Sequence, residues 1–308
     1  MENERNTALA RVRKILILGA SGFLGNHLWD HYRAIGSNVI GTRYSCSNGK
    51  FSYFDSSDLA SFGQMLRAFR PEVVINASGY ISGVADRALG TENSVDERSV
   101  GLNLAASCVE NQVKLFLTLG SSAEYGKISQ ENILESAEHG VLTPYGQMKR
   151  TTTEGLSDLV SDETNIVVLR PFLVFGSGQK VPRLTPFIVQ NASKIECLKS
   201  LSLGDCRDFV GVDDFVKITD RIIEKKLNDC EGSFDVFNVC SGIGVTVGDW
   251  INKIRYAIGL SKIDSFSVPP ADFFVGDNSK LMHYIGPFKF TLHEDSIRTL
   301  LNDDYGNC

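Results

Sequence analysis

Tyr145 and Lys149 stand four residues apart in the run Pro144-Tyr-Gly-Gln-Met-Lys149. On a helix that spacing puts both side chains on one face, and Pro144 suits a helix start or a turn. A phenol has an ordinary pKa near ~10, too high to exchange a proton readily at neutral pH. A nearby ammonium favours the phenolate and lowers that value. The pair can therefore act as a tuned proton donor or acceptor. Taken alone, the same spacing also fits an ordinary exposed helix face. A second cluster, Gly120-Ser121-Ser122-Ala123-Glu124-Tyr125-Gly126, follows the apolar run Leu115–Leu119. Hydroxyls at the carboxyl end of a strand can reach a ligand edge, or they can simply line a polar turn.

Such groups need a frame, and the stretch Lys14-Ile-Leu-Ile-Leu-Gly-Ala-Ser-Gly-Phe-Leu-Gly25 supplies its first piece. An apolar run stops at Gly19, and Gly22 and Gly25 follow at three-residue spacing. A helical pattern then carries Leu28, Trp29, Tyr32 and Ile35 on one side. Strand, glycine turn and helix N-terminus in that order form a site for a dinucleotide pyrophosphate. The glycines let backbone N–H groups approach the phosphates, and the helix dipole favours negative charge there. The spacing is Gly-x-x-Gly-x-x-Gly, not the commoner Gly-x-Gly-x-x-Gly.

Further strands are expected at residues 38–42, 73–75, 115–118 and 166–169, with helices near 59–69, 94–112 and 146–160. The alternation predicts an α/β chain with a doubly wound parallel sheet, ligands sitting at the carboxyl ends of its strands. Beyond Gly176 the pattern becomes irregular and carries Pro182, Pro186, Pro269, Pro270 and Pro287. We expect a polar tail at 1–13, a dinucleotide-binding domain at 14–175, and a smaller substrate lobe at 176–308. Parts of 208–243 are expected to return to the first domain. Residues 302–308 read as a frayed tail.

Composition narrows the function classes. The chain has 308 residues, 43% of them hydrophobic, enough for a full core. Its net charge is −6 without a long basic run, which argues against nucleic acid as the main partner. Seven scattered cysteines without a Cys-x-x-Cys pair look like reduced intracellular thiols. No apolar core of a signal peptide stands near the start, and no run approaches the ~20 residues of a membrane span. A cytoplasmic location without membrane contact is expected. Among the histidines only His27 and His31 have metal-ligand spacing, and with no third ligand no metal is expected.

These pieces together resemble the extended short-chain dehydrogenase/reductase family, in its nucleotide-sugar branch. The matching segments are Gly19–Gly25, Asn76-Ala77-Ser78-Gly79, Gly120–Gly126, Pro144–Lys149, Leu169-Arg170-Pro171-Phe172 and Arg207-Asp208-Phe209. The resemblance runs from about residue 14 to about residue 300. It implies a Rossmann fold, a nicotinamide cofactor, and a Ser-Tyr-Lys catalytic set of Ser121, Tyr145 and Lys149. Ser121 follows from the family's spacing before Tyr125, and Ser122 is the alternative. It also implies cofactor contacts from Gly19, Ser21, Gly22, Phe23, Leu24, Gly25, Thr42, Arg43, Asp55, Ala77, Ser78, Gly79, Tyr145, Lys149, Pro171 and Phe172. Substrate contacts would come from Ser121, Ser122, Tyr145 and Arg207, and the chain could pair as a homodimer.

Two departures refine what the resemblance implies. Relatives that use NAD keep an acidic residue after the second strand, where this chain has Arg43. A guanidinium there suits the 2′-phosphate of NADP, or it is a solvated surface arginine. Dehydratase relatives carry an acid–base residue where this chain has Ala123, which cannot move a proton. The resemblance therefore implies NADPH-dependent reduction of a nucleotide-linked 4-keto-6-deoxy sugar, with NAD as the lesser candidate. Tyr145 would protonate the alkoxide, Ser121 would hold the carbonyl oxygen, and Lys149 would bind the nicotinamide ribose. An epimerase or dehydratase on the same scaffold is the alternative, and a non-catalytic NADP-binding protein a more distant one. Arg207 would meet the substrate diphosphate, or form a surface pair with Asp208. Leu173 replaces an asparagine that touches substrate in many relatives.

Overall fold

The computed structural model describes residues 12–44, 49–79, 97–229 and 231–306. The expected tail at 1–13 lies outside the described residues up to position 11, as do the first three positions of the helix expected at 94–112.

Seven parallel strands form the main sheet. They are β1 (Lys14–Leu18), β2 (Asn38–Arg43), β3 (Ser52–Tyr53), β4 (Val73–Asn76), β5 (Leu115–Leu119), β7 (Asn165–Pro171) and β10 (Phe234–Val239), in the order β10-β7-β5-β4-β1-β2-β3. The inner strands read as near-continuous apolar runs because helices cover both faces. One face is packed by α1 (Phe23–Ala34) and α7 (Val212–Lys226) through Leu28, Tyr32, Phe215 and Ile222. The other is packed by α2 (Leu59–Phe69), α3 (Glu97–Glu110) and α4 (Pro144–Leu156) through Phe62, Leu66, Leu104 and Leu156. Strand order reverses between β1 and β4, which opens the crevice where ligands of such sheets sit.

A second sheet has the order β11-β9-β12-β6, with β8 paired to β9. It uses β6 (Gln130–Ile133), β8 (Leu173–Phe175), β9 (Asp205–Gly211), β11 (Gly244–Thr246) and β12 (Asp272–Gly276). Beside it lie α5 (Leu184–Gln190), α6 (Ile195–Lys199), α8 (Val247–Ala257) and α10 (His293–Tyr305), while α9 (Ser279–Ile285) runs beside β10 and α7. The Trp250 ring stacks on Phe209 at 3.9 Å between centroids, at the centre of this lobe's core. The lobe is not only C-terminal, since β6 reaches it from between β5 and α4.

The chain end corrects the expected frayed tail. Helix α10 continues to Tyr305 because Ile297, Leu300 and Leu301 are buried. Asp304 then accepts hydrogen bonds from Ser177 Oγ at 2.6 Å and the Gly178 N–H at 3.0 Å.

The glycine turn is built by close backbone approach. Gly19 has φ +74°, and a Cβ there would lie 2.7 Å from the Ser78 backbone. A Cβ on Gly25 would lie 2.3 Å from the Gly19 carbonyl oxygen. The Gly22 N–H donates to that carbonyl at 2.9 Å, and the Ala20 N–H donates to the Thr42 carbonyl at 2.8 Å. Gly25→Ala is expected to destabilise the fold by about 1–3 kcal/mol, since the obstacle is backbone and cannot swing away. Urea unfolding checks this.

Candidate active site

Helix α1 starts at Gly22 without a side-chain cap and without an acidic residue in its first turn. Its first N–H groups are therefore open to an anion, and Ser21 and Gly22 are exposed beside them. Phe23 and Leu24, the first helical residues, are half-buried. This is the chemistry a dinucleotide pyrophosphate needs, and the close-packed glycines fit it.

A cavity of about 350 Å³ lies beside the carboxyl ends of β4 and β5. Tyr44, Asp55, Asn76, Ser78, Gly79, Gly120 and Lys149 are among its walls. Asp55 accepts from the Ser57 N–H at 2.9 Å and Ser57 Oγ at 2.7 Å, so its carboxylate is held in place. The Ala77 N–H donates to the Leu18 carbonyl at 3.0 Å, tying this wall to β1. Asn76 Nδ2 reaches Thr118 Oγ1 at 3.3 Å, and Asn76 Oδ1 accepts from Ser78 Oγ and the Ser78 N–H. Arg43 closes β2, paired in register with Tyr53, and its carbonyl accepts from the Phe54 N–H at 2.9 Å.

Three expected residues, of which Lys149 lines the cavity, share one corner. Thr143 caps α4, its Oγ1 accepting from the Gly146 N–H at 3.1 Å, with Pro144 first in the helix. Tyr145 is thereby fixed in the first turn at 7% exposure. Gly146 lets the helix lie against the turn Ser122–Tyr125, since a Cβ there would meet the Ala123 carbonyl oxygen at 2.4 Å. Lys149 Nζ donates to the Leu119 carbonyl at 3.1 Å, two residues before Ser121, and lies 5.9 Å from the Tyr145 ring centroid. Ser121 caps the short turn, its Oγ accepting from the Ala123 N–H at 3.1 Å. With a lone pair used this way, the hydroxyl proton is the group it can offer to an acceptor. Ser122 is buried at 8% exposure.

Other residues of these motifs have structural partners. Glu124 lies in the helical turn Ser122–Tyr125. Its carboxylate is fully buried and accepts from the Ser121 N–H at 2.9 Å and Arg170 Nε at 2.8 Å. Tyr125 donates its hydroxyl to Asn238 Oδ1 at 2.6 Å, and burial pushes its pKa up to about 12. It is thus no rival to Tyr145 as a proton carrier near neutral pH. Thr42, expected at the cofactor, is buried at 1% exposure, and its carbonyl instead holds the glycine turn. Phe172, expected likewise, is buried between Tyr125 and Phe274, with ring centroids 6.3 and 5.5 Å away. It packs the junction between the sheets, as the Pro171–Phe172 link leaves the main sheet for β8. Pro171 is paired in register with Val239.

Arg207, expected at a diphosphate, binds Asp205 Oδ2 at 2.6 Å and Asp272 Oδ2 at 2.9 Å. Its charge is matched by two carboxylates, and the residue ties β9 to β12. Asp208 is buried and does not pair with Arg207. It accepts from the Ser241 N–H, Ser241 Oγ and the Gly242 N–H, while burial raises its pKa to about 6. His27 meets the Ser177 carbonyl at 2.8 Å, and His31 lies 3.7 Å from Asp220. Among the described residues no helix is long and apolar enough to cross a membrane.

The sequence profile of the NAD dependent epimerase/dehydratase family matches residues 15–240. GDP-6-deoxy-D-talose 4-dehydrogenase of Aggregatibacter actinomycetemcomitans is 26% identical over 96% of this chain and 97% of its own. Methionine adenosyltransferase 2 subunit beta of Xenopus tropicalis is 26% identical over 55% of this chain and 49% of its own. Among solved structures, UDP-glucose 4-epimerase of Thermotoga maritima with UDP-glucose superposes at a TM-score of 0.76 and 19% identity. It covers 94% of this chain and 97% of that one, which establishes the shared fold.

Proposed function

This chain belongs to the NAD dependent epimerase/dehydratase family, and we propose that it uses NADPH to reduce the 4-keto group of a nucleotide-linked 6-deoxyhexose. One observation carries this reading. Among the described residues of the catalytic corner, Tyr145 is the phenol that lies beside a lysine, while the Glu124 carboxylate is already bound by Arg170. Ketone reduction needs one proton, whereas dehydration also needs a base at a carbon-bound proton. The named relative that spans the chain acts, by its name, at position 4 of a GDP-linked 6-deoxyhexose, which supports that substrate class.

Bound nicotinamide supplies or takes up the two electrons of the ketone–alcohol interconversion. The uncapped start of α1 holds the pyrophosphate. Asp55 and Lys149 both line the cavity, and in this reading Asp55 meets the adenosine and Lys149 the nicotinamide ribose. Lys149 keeps the remaining donors of its ammonium for the ribose hydroxyls and stands beside Tyr145, its Nζ 5.9 Å from the ring centroid. The Ser121 hydroxyl donates to the carbonyl oxygen, and Tyr145 gives that oxygen its proton as it gains charge. Arg207 has no place in this scheme, because two carboxylates already match its charge.

The choice of NADPH rests on Arg43. Arg43→Ala is expected to weaken NADPH by about 1.5–3 kcal/mol, roughly 10- to 150-fold, with NADH much less affected. Titration of both cofactors checks this. Equal weakening, or a parental preference for NADH, excludes the arginine as reader of the 2′-phosphate. The substrate class is tested by a panel of GDP-, dTDP-, CDP- and UDP-linked 4-ketosugars with NADPH, following loss of the reduced nicotinamide. Turnover of a 4-ketone is expected. Activity only as an interconversion of two sugars, without net change of nicotinamide, makes the protein an epimerase.

A further inference from the structure

We propose that Glu124 is a positioning residue for Ser121, anchored by Arg170 and tied through it to the smaller lobe. The inference rests on Ser121 holding the substrate carbonyl. Glu124 is fully buried, and its two oxygens do different jobs. Oε1 accepts from the Ser121 N–H at 2.9 Å, and Oε2 accepts from Arg170 Nε at 2.8 Å. Room for the first contact comes from Gly120, where a Cβ would lie 2.4 Å from Oε1.

Arg170 carries the connection onward from β7. Its second nitrogen donates to the Tyr125 hydroxyl at 3.1 Å and the Glu135 carbonyl at 3.0 Å. The Tyr125 hydroxyl donates to Asn238 Oδ1 at 2.6 Å. Asn238 Nδ2 donates to the Ile133 carbonyl at 2.8 Å and the Asp277 carbonyl at 3.3 Å, at the ends of β6 and β12. The backbone of the catalytic corner is thus bound to both sheets by one buried polar chain, 46 residues apart in sequence at its ion pair. A pair this buried contributes little net stability compared with an apolar replacement. Its consequence here is geometric: the Ser121 backbone is held at one position and the hydroxyl with it. Misplacement by about 1 Å at a reacting centre can cost 10²-fold in rate.

The test is a double-mutant cycle on the full chain, with NADPH and the 4-ketone of GDP-6-deoxy-D-talose as probe. Glu124→Gln keeps an oxygen for the Ser121 N–H but loses the charge that holds Arg170. It is expected to lower kcat roughly 10- to 100-fold, with the NADPH Kd unchanged. In a Ser121→Ala background the same change should cost nothing further. Full multiplicative loss in that background, or parental kcat for Glu124→Gln, overturns the proposal. If Glu124→Gln does not fold, Tyr125→Phe removes the next link, and the same coupling to Ser121→Ala is expected. If the parental protein does not turn the probe over, the 4-ketosugar that the panel identifies replaces it; if it turns over none of them, the ketoreductase reading fails and amide hydrogen exchange decides the inference by itself. Glu124→Gln or Tyr125→Phe should speed exchange over residues 121–125 selectively, and unchanged exchange there contradicts the positioning role.

Discussion

Tyr145→Phe is expected to lower kcat about 10²–10⁴-fold, while NADPH binds with nearly the parental Kd. The ring sits in the first turn of α4 at 7% exposure, so phenylalanine keeps the packing and loses only the hydroxyl. Cofactor affinity should survive because the pyrophosphate is held at the start of α1, on a different element. Single-turnover kinetics with a 4-ketosugar, together with fluorescence titration of NADPH, separates the two effects. Turnover within a few-fold of the parent removes Tyr145 from the chemistry. Tyr125 cannot substitute, since burial raises its pKa to about 12 and its proton is committed to Asn238.

Arg170→Met should cost about 3–5 kcal/mol of folding stability, the largest effect expected away from the chemistry. Methionine fills much of the volume but leaves Glu124 fully buried without its cation and Tyr125 without its donor. Natural domains are stable by only ~5–15 kcal/mol, so this loss is a large share of the total. Arg170→Met combined with Glu124→Leu should recover much of it, because removing both partners leaves no unpaired buried charge. Urea midpoints of the single and double variants measure both effects. A double variant no more stable than Arg170→Met contradicts this account of the pair.

Local pattern made much of this architecture legible. Strand, glycine turn and helix around Gly19, Gly22 and Gly25 are neighbours in sequence, so their spacing alone announces the turn. The Tyr145–Lys149 geometry follows from one helical turn, and Pro144 and Thr143 mark its start. What escaped depends on distant contacts. Glu124 has no role that its neighbours in sequence announce, because its partner Arg170 arrives on a strand beyond α4. Phe172 sits in a motif that suggests cofactor contact, yet its ring fills the junction where the chain crosses into the second sheet. That sheet gathers β6, β9, β11 and β12 from separated stretches, and no periodicity within one of them announces the others. The helix Val212–Lys226 was within reach, since Phe215, Ile218, Ile222 and Ile223 recur at helical spacing. Tyr305 ends a helix, not a frayed tail, because Leu300 and Leu301 pack against the small lobe.

The central claim is that one proton carrier at this corner accompanies a two-electron change at carbon 4. It is tested most directly by running the reaction in D₂O with NADPH and the 4-ketone of GDP-6-deoxy-D-talose, and reading the product by NMR. The account predicts one NADPH consumed per product and no enzyme-dependent deuterium at C3 or C5. Deuterium at either carbon, or product formed without net NADPH loss, contradicts it.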